Sequence, residues 1–231
     1  MSRILTGPRF VREAIVAGTV DELWVLAGAK HDGLLQLAHK REVRVHEVDR
    51  RELDRMAKGI KHQGVVARGP DYRYAELDSL LVESARIVAL DEIQDPHNVG
   101  AIVRSAVAFG ASLIVPEHRA SHVTPVVVRA SAGATEHAKI ARVTNLQKTL
   151  LDLRQRALEI VGLDGTASES IADLGAPPPA GRVIVVGSEG TGLRRLVRKR
   201  CDRVVSIPMR GPVESLNASV AAALAIYESW R

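Results

Sequence analysis

A chain of 231 residues, 46% hydrophobic and 26% charged, with a mean hydropathy of +0.01, has the balance of a globular protein that buries a real core as one large domain or two smaller ones. Seven aromatics, 3% of the chain, are too few for a large stacking platform for single-stranded nucleic acid, and the lone Cys201 excludes an internal disulfide and any multi-cysteine zinc site. The net charge of +5 and pI near 9.6 point to a polyanionic partner; residues 1–70 hold 13 Lys or Arg against 9 Asp or Glu, whereas 71–231 hold 19 against 18. No stretch approaches the roughly 20 apolar residues of a membrane span, and the opening residues interleave charges where a signal peptide keeps an apolar run. A cytoplasmic protein with no membrane partner is expected.

Thr6 is placed to cap a short helix over 7–17, where Phe10, Ala14, Ile15 and Ala17 fall at helical spacing before Gly18. An apolar run at 23–26, a helical set of Leu34, Leu35, Leu37 and Ala38, and an alternating Val43 and Val45 follow. A capping box of Asp49 with Glu52 and the apolar 65–67 complete the set. Together they predict a compact α/β unit over 1–70, then a linker and first helix over 71–85. From 86 to 231, apolar runs alternate with helical patterns at the spacing of βαβ units. An α/β domain with a mostly parallel sheet is expected, with strands near 87–90, 113–115, 138–141, 160–163, 183–186 and 204–207. The Pro-rich 176–181 reads as a surface connection.

Three segments follow a predicted strand and open a helix, where open parallel sheets keep their ligand sites. In DEIQDPHNVGAIVR (91–104), Pro96 restrains the loop and Gly100 relaxes the start of the helix. Arg104, two to three positions past that start, is expected to fold its guanidinium back toward the strand ends and grip a phosphate. Asn98 also serves as an ordinary N-cap. In VGSEGTGL (186–193), Gly187, Gly190 and Gly192 let backbone amides approach a ligand. Leu193 and Arg194 stand where a P-loop needs Lys and Ser or Thr, and Arg195 stands where a dinucleotide fingerprint needs glycine. Glu189 reads as a ligand contact or as a group positioning Arg104.

In SIPMRGPVESLNASVAAALAIYE (206–228), Pro208, Gly211 and Pro212 hold an extended loop before an Ala-rich helix whose small residues permit close helix or subunit packing. Ser215 and Asn217 either cap that helix or hydrogen-bond a ribose or an asparagine side chain. Arg194, Arg195, Arg198, Lys199, Arg200 and Arg203, opposed by Asp202, form either a solvated face or a polyanion patch. His118 and His122 have no carboxylate or thiol nearby in sequence, so no metal is expected.

In this order and spacing the three segments resemble the signature motifs of the SpoU, or TrmH, branch of the SPOUT RNA 2′-O-methyltransferases, through NVGAIVR, VIVVGSEGTGL and IPMRGPVESLNASVAAALAIYE. GPRFVREAI near the start and HQGVVA at 62–67 resemble the L30e-like substrate-binding domain of the bacterial enzymes that methylate a guanosine ribose in 23S rRNA. The resemblance implies a trefoil-knotted C-terminal domain over 86–231, a homodimer, RNA and not DNA as partner, and S-adenosylmethionine (AdoMet) as methyl donor. It also implies that Asn98, Arg104, Glu189, Ser215 and Asn217 form the catalytic centre, and that Gly187, Gly190, Ile207 and Leu216 surround the donor.

A guanidinium, with a pKa above about 12, is a poor proton acceptor, so Arg104 is assigned to holding phosphate and stabilising charge on the 2′-oxygen. Arg9, Arg12, His62 and Gln63 are expected RNA contacts. A tRNA methyltransferase of the same branch, and a non-catalytic L30e-type RNA-binding protein, are the alternatives; the latter leaves the second and third motifs unexplained.

Overall fold

The computed structural model describes residues 2–213 and 215–230, and by its contacts the chain forms two compact units. The first contains β1 (Ser2–Thr6), α1 (Pro8–Val16), β2 (Glu22–Leu26), α2 (Asp32–Lys40), β3 (Arg44–Val48), α3 (Arg50–Ala57) and β4 (Val65–Pro70). The sheet order is β1-β4-β2-β3, with β4 antiparallel to both neighbours and β2 parallel to β3. The two-residue period of the strands divides the core. Leu23, Val25 and Val65 pack with Val11 and Ile15 of α1 and Leu34 of α2, whereas Trp24 and Val66 pack with Leu53 and Ala57 of α3.

Asp49 caps α3 as expected, its carboxylate accepting the Glu52 N–H at 2.9 Å. Thr6 does not cap α1. It lies on β1, a strand the hydropathy pattern did not reveal, and the cap position belongs to Gly7 at φ 94, ahead of Pro8.

The second unit begins with β5 (Ala85–Asp91), α4 (Pro96–Ala108) and β6 (Ser112–Pro116). The next helix, α5 (Pro125–Ala130), departs from the sequence reading, which treats 86–231 as one continuous domain. By its contacts, Val123–His137 groups with the residues up to Arg73. Glu136, 1% exposed, accepts Arg3 Nη1 at 2.8 Å and Nη2 at 2.6 Å, Val128 joins the core under α1, and Arg129 donates to the Thr6 hydroxyl at 3.1 Å.

The second unit resumes with β7 (Ile140–Val143), α6 (Leu146–Gln155), β8 (Glu159–Leu163), β9 (Glu169–Ser170), β10 (Gly181–Gly187), α7 (Arg195–Arg198), β11 (Arg203–Ser206) and α8 (Ala218–Ser229). The order is β7-β6-β5-β10-β8-β11-β9, and every pairing is parallel. The six expected strands are present, joined by the two-residue β9. β5 and β10 are central and covered on both faces, which is why they read as unbroken apolar runs. The strand order reverses between them, and their paired carboxyl ends, Asp91 and Gly187, mark the crevice where parallel sheets bind ligands. Arg182 on β10 is wholly buried. It donates to Glu159 at 2.6 Å and to the Ser229 carbonyl at 2.8 Å, tying the last turn of α8 to the sheet.

Candidate functional site

At the carboxyl end of β10 the chain makes a tight loop whose shape is set by glycine. A Cβ on Gly187 would lie 2.3 Å from the Gly192 carbonyl carbon, and Gly190 and Gly192 adopt φ of 79 and 63. The Gly192 N–H closes the loop on the Ser188 carbonyl at 2.9 Å. Both ends are anchored by Asp91, a residue sequence reasoning did not single out. Its backbone pairs with Gly187, and its fully buried carboxylate accepts the Arg194 N–H at 2.8 Å and Nε at 2.6 Å. An acid ending a strand carries no signal of that role in one sequence.

The loop presents Glu189 to the two other motifs. Its Oε1 accepts Nδ2 of Asn98 at 3.0 Å, Nδ2 of Asn217 at 2.6 Å and the Ala218 N–H at 3.2 Å, and Asn217 Nδ2 also reaches Asn98 Oδ1 at 2.9 Å. Ala218 is the first residue of α8, so the carboxylate sits at the positive end of that helix. Asn217 caps α8, its Oδ1 accepting the N–H groups of Ser219 and Val220, while its Nδ2 donates to the Asn98 side chain and to Glu189. Asn98 does not cap α4. Asp95 does, accepting the His97 N–H at 2.9 Å, and this frees the Asn98 side chain.

Beside this cluster lies a cavity of about 710 Å³, within the range of small-molecule sites. Gly187, Glu189, Gly190, Ile207, Ser215, Leu216 and Asn217 line it, so the second and third motifs meet there as expected. The sequence reading missed the wall supplied by Asp164 and Thr166, just past β8. The Asp164 carboxylate accepts from the Thr166 hydroxyl at 2.7 Å and N–H at 2.9 Å and pairs with Arg198. Although desolvation opposes it, these bonds and the Arg198 charge hold the Asp164 carboxyl below its usual range.

Arg104 stands apart. Because α4 already starts at Pro96, Arg104 lies more than two turns into it, about 12 Å of helix rise from Pro96. It is exposed, does not line the cavity, and Glu189 bonds to the two asparagines instead of positioning it. Among the described residues no group of three His, Cys, Asp or Glu is placed to hold a metal, and no helix is long and apolar enough to cross a membrane.

Residues 85–227 match the SpoU rRNA Methylase family, and residues 4–75 match the RNA 2′-O ribose methyltransferase substrate-binding family. The chain is 44% identical, over 98% of its length and 76% of the relative's, to an uncharacterized tRNA/rRNA methyltransferase of Mycolicibacterium gilvum (strain PYR-GCK). The crystal structure of the SpoU methyltransferase AviRb from Streptomyces viridochromogenes, in complex with AdoMet, superimposes with a TM-score of 0.81 at 27% identity, covering 98% of this chain and 88% of that one. An AdoMet-bound rRNA methyltransferase from Sinorhizobium meliloti gives 0.79 at 26% identity, covering 98% and 86%. These matches span both units, and the chain belongs to the SpoU/TrmH family of tRNA/rRNA methyltransferases within the SPOUT superfamily.

Proposed function

We propose that this protein methylates a ribose 2′-hydroxyl in RNA with AdoMet as donor, that its target is a guanosine of 23S rRNA, and that it works in the cytoplasm as a homodimer. The observation that carries this reading is the convergence of Gly187, Gly190, Ile207 and Leu216 on one nucleoside-sized cavity beside the Asn98–Glu189–Asn217 cluster. The residues present fit the donor. The glycine loop, closed so tightly at Gly187 that a Cβ there would strike the Gly192 backbone, lines the cavity, and the Glu189 carboxylate in its wall suits a cationic ligand.

AdoMet supplies an already activated methyl group, so the protein's work is alignment and charge stabilisation. Backbone at Gly187, Gly190, Ile207 and Leu216 holds the donor's adenosine. Asn98, Ser215 and Asn217 orient the target ribose, with Glu189 fixing the two amides. Arg104, exposed and outside this cluster, takes the phosphate of the target RNA, the part of its expected role that its position on α4 allows. The trefoil knot over 86–231 and the L30e-like RNA-binding role of 1–70 belong to the same reading. Support for a dimer comes from α8, where Val220, Leu224 and Tyr227 are exposed and Tyr227 packs on the exposed Phe109 at 5.8 Å.

The test is to map 2′-O-methyl groups in 23S rRNA and tRNA from a strain lacking the gene. One guanosine of 23S rRNA should lose its mark and regain it with the wild-type gene. A lost mark in tRNA would refute the target, and no lost mark would refute the reaction.

A further inference from the structure

The N-terminal unit holds a cavity of its own, about 740 Å³, where the turn between α3 and β4 faces the start of α2. The turn, 58–64, is unusually constrained. His62 is buried, its Nδ1 accepts the Gly64 N–H at 3.1 Å, and its Nε2 lies 2.9 Å from Asp54 Oδ1. With Nδ1 accepting, the ring is the Nε2–H tautomer donating to Asp54, so both nitrogens are spent inside the protein. The Lys61 carbonyl accepts Arg129 Nη2 at 3.2 Å, and the Gly64 carbonyl accepts the Leu26 N–H at 2.9 Å. His62 thus positions the turn, with both ring nitrogens bonded inside the protein.

What the turn presents are the exposed side chains of Lys61 and Gln63. Gln63 sits at φ 52, where a side chain is strained and glycine is not. Strain of this kind persists where the surroundings fix the backbone, and it gathers at ligand clamps. Arg50 and His31 complete the polar wall, and Asp54 is held by His62 and lies 3.9 Å from Arg50 Nε. The cavity therefore offers the cation of Lys61, the cation of Arg50 with the Asp54 carboxylate 3.9 Å from it, and one amide that both donates and accepts, in a space far larger than a phosphate needs. Arg9 and Arg12, on α1, do not line it.

We infer that this cavity takes one unpaired nucleotide of the substrate RNA, with its phosphate against Lys61 and Arg50 and its base edge against the Gln63 amide. Backbone contacts set position while an amide pairing with a base edge reads identity, the division of labour expected for unpaired RNA. The inference rests on the RNA-methyltransferase reading above.

The test uses the full chain, a 23S rRNA transcript as probe and calorimetry with AdoMet as control. Gln63→Gly removes the amide and relieves the backbone, so its melting temperature should hold or rise while transcript affinity falls at least about fivefold. Lys61→Ala should lower the slope of log affinity against log salt by about one. Both variants should bind AdoMet as the wild type does. Transcript binding by both variants with wild-type affinity and salt slope would overturn the site and leave the proposed function standing, as would a fall in the melting temperature of Gln63→Gly for the strain argument. A wild type that takes up AdoMet but binds no transcript would overturn both.

Discussion

Replacing Gly187 by alanine would place a Cβ 2.3 Å from the Gly192 carbonyl carbon, 2.4 Å from its oxygen and 2.5 Å from the Leu193 nitrogen. All three are backbone atoms, so no side chain can swing away. Ordinary contact for a Cβ begins near 3.4 Å, so the loop must retreat by about 1 Å. Retreat is opposed at both ends, by the Gly192 to Ser188 hydrogen bond and by Asp91 holding Arg194. Overpacking of this kind costs about 1–3 kcal/mol. If the loop must close again to hold the donor, that energy appears as roughly a 5- to 150-fold loss of AdoMet affinity. Gly190→Ala is the control: nothing lies within 4 Å of its added Cβ, and only φ 79 strains it, by about 1 kcal/mol. Isothermal titration of AdoMet into the wild type and both variants should therefore rank Gly187→Ala as the weaker binder. Wild-type affinity in Gly187→Ala, or the opposite ranking, would refute the loop as the donor's cradle.

Arg104→Lys should cut turnover on rRNA at least about tenfold while donor affinity, read by calorimetry, stays unchanged, because a point charge cannot replace the fork of donors. Arg182→Met should lower unfolding free energy in urea by about 3–5 kcal/mol, since it strips a buried cation from Glu159 and the carbonyl ending α8. Burial first, and then the Asp202 and Asp91 carboxylates, push the Cys201 thiol from 9.0 up to about 12. Between those values only the unfolded chain releases the proton, so stability should fall as pH rises through that window. Iodoacetamide at pH 8 should accordingly label Cys201 only after denaturation.

The parallel sheet was readable because its central strands are covered on both faces and spell apolar runs such as 183–186. β1 was not, because Ser2, Arg3 and Thr6 interrupt the apolar signal and its register with β4 is a tertiary fact. The motifs gave Glu189 and Asn217, but the N-cap of α4 was misplaced, since Asp95 and Asn98 are both good caps and Pro96 settles the choice. That three-residue shift also carried Arg104 away from the strand ends. Asp164 and Asp91 reach the site through strand order, which local pattern does not encode, and Val123–His137 reads like any crossover segment until Arg3 is seen gripping Glu136.

The most direct measurement is a crystal structure of the protein grown with AdoMet. Density for the donor's adenosine should lie against the backbone of Gly187, Ile207 and Leu216, with the sulfonium end toward the Asn98–Glu189–Asn217 cluster. A donor bound elsewhere, or a cavity that stays empty at saturating AdoMet, would contradict the account.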